Sequence, residues 1–503
     1  MAVSQLFDSG YDSPALESSE RPVKKQKQRD VQSDSAAFVR RHPLGVRPSG
    51  NALTSNVNLR LSTGSFALLP DELLALLLEI LEPQDLLRLG GTCRALHAFT
   101  RNEELWRILF VESSPKDFTW QGTWRSTYLS QESSREPRID CSNLFSDVLH
   151  RPFFCANVDL HRYAEDIPKQ NEIARLKDLS HADFAEKWYG QPFILTEPVK
   201  QWPVYKTWST DKLVEQYADV PFRAEAVDWP LKTYVGYMNN SRDESPLYLF
   251  DRAFTQKMNL TVSDKPAEDA DYWEPTCFGP DLFHLLGKQR PDHRWLIIGP
   301  DRSGSTFHKD PNATSAWNAV LKGSKYWIMF PSSPSIPPPP GVYVSEDQSE
   351  VTSPLSIAEW LLGFHAEARR TPGCKEGICG EGEVLYVPSG WYHLVLNLEA
   401  SIAITQNLVP IARLGAVLHF LNGPKCNISG FSDDVEDPYN LFVERLREHD
   451  PQLLEEGLKE MQRLSKIGKG WEELTKTAEQ DNRDGGGGFS FGFGGDDDDA
   501  DIP

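Results

Sequence analysis

The sequence predicts an α+β protein in which a jelly-roll barrel of short strands, flanked by helices, follows a small all-α module. Three observations carry this prediction. Short β-rich runs punctuated by Gly and Pro fill the middle of the chain, which favours a sandwich or jelly roll over a doubly wound sheet. A leucine-rich segment with helix starts and breaks precedes them, and helical periodicity returns after Asn422.

The composition is that of an ordinary soluble protein. Of the 503 residues, 25% are charged and 39% are hydrophobic, and this length suits about three folded units. The net charge of −21 disfavours direct binding to nucleic acid and favours basic peptides as partners. The longest apolar region, 66–81, contains a proline and three acidic residues, so we expect no membrane span. Seven scattered cysteines predict reduced thiols and no structural zinc site.

The first 60 residues are polar and lack apolar periodicity, so we expect a disordered tail over 1–60. Within it, Lys24–Arg29 is a basic cluster that is either a nuclear address or a chance group of exposed charges. The start of the chain has no apolar stretch of the kind that a secretory signal requires. We therefore expect a nuclear location, with the cytoplasm as a second compartment.

Residues 66–110, called the helical module below, predict a compact unit of short helices. Pro70 suits the first turn of a helix that runs through Leu81, and the acids after it favour the positive helix end. Pro83 ends this helix, and a second one is predicted over Gln84–Leu89. Helices this short bury too few of the module's leucines, which indicates that a partner covers the others.

The order of motifs in the helical module resembles the F-box: Leu68–Leu74, then Asp85–Leu89, Cys93–Leu96 and Leu105–Arg107. This resemblance implies binding to the Skp-type adaptor of a cullin-RING (SCF) ubiquitin ligase. The alternative is a plain helical subdomain that packs on the rest of the chain.

The barrel is expected within residues 145–425, with its core at about 245–410. Five apolar runs rich in β-branched and aromatic residues predict its strands: Pro192–Leu195, Trp295–Ile298, Lys325–Phe330, Val384–Val387 and Ile402–Thr405. A surface insert is expected at about 331–376, with Pro337–Pro340 and a helix over Ile357–Phe364.

Two further segments follow the barrel. Residues 426–475 predict a C-terminal helical lobe, with helices over Pro438–Glu448 and Gln452–Leu464. Residues 480–503, rich in Gly and Phe and then in Asp, predict a disordered tail.

The residues that point most clearly to chemistry are His308, Asp310 and His393. In an extended segment His308 and Asp310 project from the same face, so both can reach one metal ion, and a histidine on a neighbouring strand completes the set. Two histidines and one carboxylate leave three octahedral positions open, which is typical of non-haem Fe(II) oxygenases. A His-x-Asp triplet such as His308-Lys309-Asp310 also arises by chance, and a lone histidine on a strand is commonly a core or surface group.

Lys325 and Thr405 are candidates for binding an anionic cosubstrate such as 2-oxoglutarate. A lysine that faces inward on an apolar strand indicates a bound anion, because burying an unpaired ammonium costs several kcal/mol. The alternative is that Lys325 begins its strand at the surface.

Several motifs in residues 295–331 together resemble the JmjC oxygenases, in particular the lysyl hydroxylase and arginine demethylase branch once described as a phosphatidylserine receptor. The motifs are Gly299-Pro300, Arg302–Ser305, His308–Pro311, Thr314–Ala319 and Gly323–Lys325. The similarity extends upstream to Ser245–Asp251 and downstream through His393–Leu398 to Ile404–Asn407, which is about half the chain.

The resemblance implies a role for each matching residue. His308, Asp310 and His393 would hold Fe(II), with dioxygen as cosubstrate. Lys325, Thr405, Tyr248 and Asn318 would bind 2-oxoglutarate, with Asn318 near the metal and the others around the distal carboxylate. The positions that would line the same pocket are Trp295, Ser305 and Asn407.

The function predicted from these residues is that of an Fe(II)- and 2-oxoglutarate-dependent dioxygenase acting on a protein, with a basic peptide or histone-like segment as substrate. Lysyl hydroxylation is the first choice of reaction, and demethylation of methylated lysine or arginine is the second. One alternative is an F-box substrate receptor of a cullin-RING ubiquitin ligase that uses the barrel for recognition. The other alternative is a cupin-like barrel without catalysis, but this interpretation does not explain Lys325 and Thr405 beside His308, Asp310 and His393.

Overall fold

A computed structural model describes residues 40–466 of the chain, except 116–117, 132–138, 334–335 and 346–349. The basic cluster at Lys24–Arg29 and the predicted tail over 480–503 lie outside the described residues. None of the described helices is long and apolar enough to cross a bilayer.

Helices dominate the two ends of the described chain and separate some of the strands. The helices of the N-terminal half are α1 Asp71–Glu79, α2 Pro83–Gly90, α3 Arg94–Phe99, α4 Glu103–Ser113, α5 Trp124–Tyr128, α6 Asp147–Asn157, α7 His181–Asp183, α8 Pro203–Thr207, α9 Thr210–Tyr217, α10 Leu231–Met238 and α11 Phe254–Lys257. Those of the C-terminal half are α12 Ile357–Ala368, α13 Leu414–Leu421, α14 Pro438–His449 and a last helix over 451–466.

The strands are short and lie between residues 174 and 408. They are β1 Ala174–Leu176, β2 Phe193–Leu195, β3 Pro221–Ala224, β4 Val227–Pro230, β5 Leu249–Asp251, β6 Val262–Ser263, β7 Tyr272–Trp273, β8 Arg294–Gly299, β9 Gly304–His308, β10 Ser315–Lys322, β11 Lys325–Phe330, β12 Tyr343–Val344, β13 Val351–Thr352, β14 Lys375–Cys379, β15 Glu383–Val387, β16 Tyr392–Asn397 and β17 Ser401–Leu408. Each of the five predicted runs is a strand: β2, β8, β11, β15 and β17.

Two of the sheets form the barrel. One has nine strands in the order β1-β2-β15-β10-β17-β8-β5-β3-β4, and the other has four in the order β14-β11-β16-β9. Side chains from both sheets meet in one apolar cluster, which includes Val320 and Leu385 from the larger sheet and Trp327 and Val395 from the smaller. The predicted jelly-roll fold with flanking helices is therefore confirmed.

The helical module forms short helices, as its sequence predicts. Pro83 is the first residue of α2, where its missing N–H costs no hydrogen bond, so the proline that stops α1 also starts the next helix. Phe110 of α4 packs edge-on against Trp229 of β4, with ring centroids 6.1 Å apart. The module is thus joined to the larger sheet by an aromatic contact.

The tail predicted to be disordered through residue 60 differs from the structure over its last part. Val46 is only 2% exposed, and the backbone N–H of Arg47 donates to Leu144 across 3.0 Å. Arg60 donates to the carbonyls of Phe66 and Leu69 and pairs with Asp71 at 2.7 Å. This segment is held by isolated contacts of Val46, Arg47 and Arg60. Because such contacts produce no hydrophobic periodicity, the sequence did not predict them.

The insert and the C-terminal helices each pack on one side of the barrel. The insert lies between β11 and β14 and contains the β12–β13 hairpin and α12, whose Trp360 ring lies 4.8 Å from that of Phe307. Its predicted helix continues beyond Phe364 to Ala368. At the C-terminus, α13 and α14 share an apolar cluster with the 3-10 segment Leu282–Gln289.

Candidate active site

Two histidines face each other on neighbouring strands of the smaller sheet. His308 ends β9 and pairs directly with His393 on β16, and their ring centroids are 4.1 Å apart. The Nδ1 atom of His308 lies 2.8 Å from the carbonyl of Thr306, and that of His393 lies 3.1 Å from the carbonyl of Trp391. Nδ1–H donation to these carbonyls fixes the tautomer that leaves each Nε2 lone pair available to a metal ion.

Asp310 follows β9, two residues after His308, and the charge interaction between the two side chains places its carboxylate near that imidazole. Its Oδ2 atom is buried and has no hydrogen-bond partner among the described residues. Burial raises the pKa of Asp310 to about 6, against the opposing effects of His308 and of a hydrogen bond from Asn407. A buried carboxylate oxygen without a partner is unfavourable, and a cation beside it relieves that cost.

The donor set fits a divalent metal ion by its chemistry. In the stretches of chain that the structure describes, no three His, Cys, Asp or Glu side chains are already gathered as a metal-binding group. Two oriented imidazoles and an unpaired carboxylate oxygen are nonetheless the ligand types of a non-haem iron site. The assignment of His308, Asp310 and His393 as metal ligands therefore stays a prediction.

Lys325 faces the inside of the barrel and is 0% exposed. Its Nζ donates to Tyr248 Oη and Asn397 Oδ1, each at 2.7 Å, and to Ser401 Oγ at 3.1 Å. All three acceptors are neutral, and none of the ion pairs among the described residues includes Lys325. Burial lowers the pKa of Lys325 to about 7. The interpretation of Lys325 as a surface residue is therefore wrong, and an anion is the partner this site needs.

A row of predicted residues crosses the larger sheet opposite Lys325. Thr405 on β17 pairs with Trp295 on β8 and with Asn318 on β10, so the three side chains lie on one face. Asn407 belongs to the same face because it is two residues beyond Thr405. Within the part of the chain that the structure describes, the buried side-chain oxygen of Asn318 has no hydrogen-bond partner, which indicates that this face can accept a polar ligand.

The hydroxyl of Thr405 does not point towards the predicted position of the 2-oxoglutarate carboxylate. It donates to the carbonyl of Trp317 across 2.8 Å, so it must turn before it can donate to a carboxylate. Ser401, four residues before Thr405 on the same face of β17, contacts Lys325 directly.

Two residues of this site were missed in the analysis of the sequence, Asn397 and Ser401. Asn397 accepts from Lys325 and donates through Nδ2 to Ser303 Oγ at 2.8 Å. The alternation of β16, in which His393, Val395 and Asn397 share one face, was the signal that pointed to it. Ser401 shares the Thr405 face by the same period.

A cavity of about 380 Å³ opens beside His308. Its walls come from the β3–β4 turn (Glu225), the loop before β5 (Ser245), the β8–β9 loop and β9 (Arg302 and Ser305) and the insert (Ile357). This volume lies within the range of small-ligand pockets, about 300–1,000 Å³. Of the predicted residues, Ser305 and His308 line this cavity, whereas Lys325 lies deeper in the barrel. The cavity can therefore admit the side chain of a protein substrate to the metal-binding end of the site.

Comparison with known proteins identifies two regions of the chain. Residues 184–408 match a cupin-like domain, and residues 66–112 match an F-box-like domain. An Arabidopsis thaliana protein named arginine-specific demethylase JMJ22 is 38% identical over 432 residues, which is 82% of each chain. The bifunctional arginine demethylase and lysyl-hydroxylase psr-1 of Caenorhabditis elegans is 34% identical, over 52% of this chain and 64% of its own.

The name of a more distant relative states the cofactors of that protein. The 2-oxoglutarate and iron-dependent oxygenase JMJD4 of Danio rerio is 30% identical over 29% of this chain and 33% of its own. The jelly-roll barrel and the inward-facing His, Asp and Lys side chains define a cupin-like oxygenase. Within that class, the chain belongs to the JmjC oxygenases and carries an F-box-like domain in front of the barrel.

Proposed function

We propose that this JmjC oxygenase binds Fe(II) and 2-oxoglutarate and oxidises a lysine or arginine side chain of a protein substrate. The observation that carries the proposal is the fully buried ammonium of Lys325, whose hydrogen-bond partners are all neutral. Lys325 and His393 lie on neighbouring strands of the smaller sheet, β11 and β16. Lys325 pairs with Asn397, whereas His393 pairs with Met329, so the two side chains are four residues apart along these strands. A dicarboxylate that also chelates a metal fits these two ends.

Each residue has one part in this proposal. His308, Asp310 and His393 hold the metal, and the carbonyls of Thr306 and Trp391 keep the two imidazoles in the required tautomer. Lys325 binds the distal carboxylate of 2-oxoglutarate, with Tyr248 and Thr405 as hydroxyl donors and Asn318 towards the metal. Trp295, Ser305 and Asn407 line the pocket. Bound Fe(II) and 2-oxoglutarate supply dioxygen activation, with release of CO₂ and succinate.

The substrate is proposed to be a basic protein segment, whose side chain reaches His308 through the 380 Å³ cavity. The net charge of −21 supports a cationic substrate. JMJ22 is named as a demethylase, whereas psr-1 is named for both demethylation and lysyl hydroxylation. We keep lysyl hydroxylation as the first choice of reaction and demethylation as the second.

The test is succinate formation by the purified full chain with Fe(II), 2-oxoglutarate and Lys- and Arg-rich peptides, both methylated and unmethylated. Mass spectrometry of the peptide separates the reactions, because hydroxylation adds an oxygen atom and demethylation removes a methyl group. We expect peptide-stimulated turnover that His308→Ala abolishes and that His161→Ala, at an exposed histidine far along the chain, leaves unchanged. A folded, iron-loaded parent protein that neither turns over nor binds 2-oxoglutarate contradicts the proposal.

A second function, binding of a Skp-type adaptor, is favoured by the exposed apolar side chains of the helical module. Leu68 and Ile80 are 87% and 80% exposed, and Leu73 and Leu76 are more than half exposed. Of the twelve exposed large apolar side chains found among the described residues, five lie in the helical module: Leu68, Leu73, Leu76, Ile80 and Leu87. A face this apolar is typical of a surface that a partner protein covers.

The adaptor proposal is tested by capture of the full chain on a purified Skp-type adaptor. Leu76→Asp with Ile80→Asp should abolish capture, since each places a charge on the exposed apolar face. Ile411→Asp, at an exposed isoleucine outside the module, is the matched control and should be captured like the parent protein. Capture that survives the double substitution contradicts this interface.

We also propose a nuclear location for the protein. The basic cluster Lys24–Arg29 supports this proposal. Exchange of its three lysines for glutamine should move a fluorescent fusion towards the cytoplasm, and an unchanged nuclear signal contradicts the role of the cluster.

A further inference from the structure

The helical module contacts the barrel near the proposed 2-oxoglutarate pocket. Two residues, Glu225 and Tyr248, connect this contact to Lys325. We infer that Arg107, on α4 of this module, is a positioning residue of the oxygenase that acts through Glu225 on Tyr248. The inference rests on the proposed function, because Tyr248 matters here as a partner of the cosubstrate lysine. It gives the F-box-like domain a role in the oxygenase reaction in addition to binding an adaptor.

Arg107 is held in place by three contacts. Its Nη2 atom pairs with Glu225 Oε2 at 2.9 Å, and its Nη1 atom donates to the carbonyl of Ser245 at 3.2 Å. The guanidinium also lies over the ring of Trp124, 5.6 Å from its centroid. A planar guanidinium fixed on two acceptors and one ring has little freedom, so it can hold the groups it touches.

Glu225 connects the module to the segment before β5. While its Oε2 atom receives Arg107, its Oε1 atom accepts the backbone N–H of Tyr248 at 3.1 Å. Glu225 has a φ of 50°, in the left-handed region that residues other than glycine rarely adopt. This conformation belongs to the two-residue turn between β3 and β4, which pair at Ala224 and Val227, and the turn presents the Glu225 side chain to Arg107 and Tyr248.

Tyr248 carries the connection into the pocket. Its hydroxyl accepts from Lys325 Nζ at 2.7 Å. The ring packs closely on Gly299, where an added Cβ would lie 2.6 Å from Tyr248 Cδ2. With the Cδ2–Cε2 edge of the ring against the Gly299 backbone, a displacement of the Tyr248 backbone is passed on to its hydroxyl and so to Lys325.

The same segment has a second anchor on the N-terminal helices. The indole N–H of Trp124 donates to Asp243 Oδ2 at 2.8 Å, and Tyr237 donates to the same oxygen at 2.7 Å. Between these anchors and Tyr248, Ser245 and Pro246 line the cavity beside His308, as does Glu225. The helices in front of the barrel therefore hold both ends of a segment that borders the metal-binding end and the lysine end of the site.

The experiment measures 2-oxoglutarate binding by calorimetry to the full chain loaded with Mn(II), which avoids turnover. Arg107→Ala and Glu225→Gln should each weaken binding about 5-fold or more, at the lower end of typical coupling between sites. The double variant should be no weaker than the worse single variant, because both act through one path. Arg107→Lys, which keeps the charge but not the two-point contact, should recover part of the affinity.

Arg88→Ala is the matched control, since Arg88 is an exposed arginine of the same module whose ion pair with Asp85 is local. It should bind 2-oxoglutarate like the parent protein. Circular dichroism verifies that each variant is folded, and Glu225→Gln serves as the test if Arg107→Ala does not fold. Folded variants that bind within 2-fold of the parent overturn the inference alone. A parent protein that does not bind 2-oxoglutarate overturns both the proposed function and this inference.

Discussion

Lys325→Met is the substitution that tests the cosubstrate site most directly. The methionine keeps the length and apolar stem of the side chain while it removes the buried charge. We expect a loss of more than a hundredfold in 2-oxoglutarate affinity, because removing one partner of a buried ion pair costs about 3 kcal/mol or more. Thermal stability without the ligand should stay equal or rise, since the variant no longer buries an ammonium that pairs only with neutral groups.

The pKa of Lys325 gives this prediction a second, independent measurement. Burial lowers that pKa from 10.5 to about 7, so at pH 8 about nine-tenths of the free protein has a neutral Lys325. A bound carboxylate favours the charged form, and binding should therefore take up close to one proton at pH 8. The affinity should fall as the pH rises above 7, and calorimetry in two buffers of different ionisation enthalpy measures the uptake.

The stability of the ligand-free protein should change with pH in the matching direction. A lysine whose folded-state pKa is lowered destabilises the fold fully below about pH 7 and not at all above its unfolded value of 10.5. Lys322→Met is the matched control, because Lys322 ends the preceding strand and pairs with Glu381 at 2.7 Å near the surface. If Lys325→Met binds 2-oxoglutarate like the parent, or if binding takes up no proton at pH 8, the assignment of Lys325 is wrong.

Three further predictions concern neighbouring groups. Asp310→Asn should weaken Mn(II) binding at least about tenfold by calorimetry without lowering the melting temperature, because the buried Oδ2 atom has no partner to lose. Burial alone would raise the pKa of Glu376, but nearby His365 and hydrogen bonds from Tyr326, Asn171 and Arg369 lower it to about 2. The contribution of Glu376 to stability, about 3 kcal/mol, is present above pH 4.5 and lost as the pH falls towards 2. Glu376→Gln should therefore flatten the acid limb of a stability profile measured by denaturant unfolding, and an unchanged limb contradicts this account. Gly299→Ala should weaken 2-oxoglutarate binding, because the new Cβ would lie 2.6 Å from the Tyr248 ring.

The sequence predicted those parts of the molecule that depend on local pattern. Apolar runs bounded by Gly and Pro predicted β8, β11 and β17 within a few residues, because a strand buried on both faces is apolar throughout. The role of each residue came from resemblance to a family, since register cannot be read from strands that lie far apart in the chain.

The residues that escaped prediction depend on contacts across the fold. Asn397 and Ser401 matter because Lys325 is folded against both. Arg107 and Glu225 are 118 positions apart, and their ion pair exists only because the helical module packs on the barrel. The segment from Arg41 to Arg60 was assigned to a tail because isolated anchors such as Val46 leave no periodic signal.

Three polar groups inside the barrel have a common explanation. Native interiors pair nearly all their buried polar atoms, yet among the described residues Asp310 Oδ2 and Asn318 Oδ1 have no hydrogen-bond partner and Lys325 has no counter-ion. The Asp310 carboxylate needs a cation, the Lys325 ammonium needs an anion, and Asn318 on the larger sheet needs a polar ligand. A divalent metal chelated by a dicarboxylate meets these needs in one assembly, and its parts would stabilise each other's binding. The affinity for 2-oxoglutarate should accordingly rise when the metal is present and the affinity for Mn(II) should rise by the same factor with 2-oxoglutarate, as thermodynamic linkage requires. Calorimetric titrations in both orders measure the two factors, and independent binding of metal and cosubstrate contradicts a shared site.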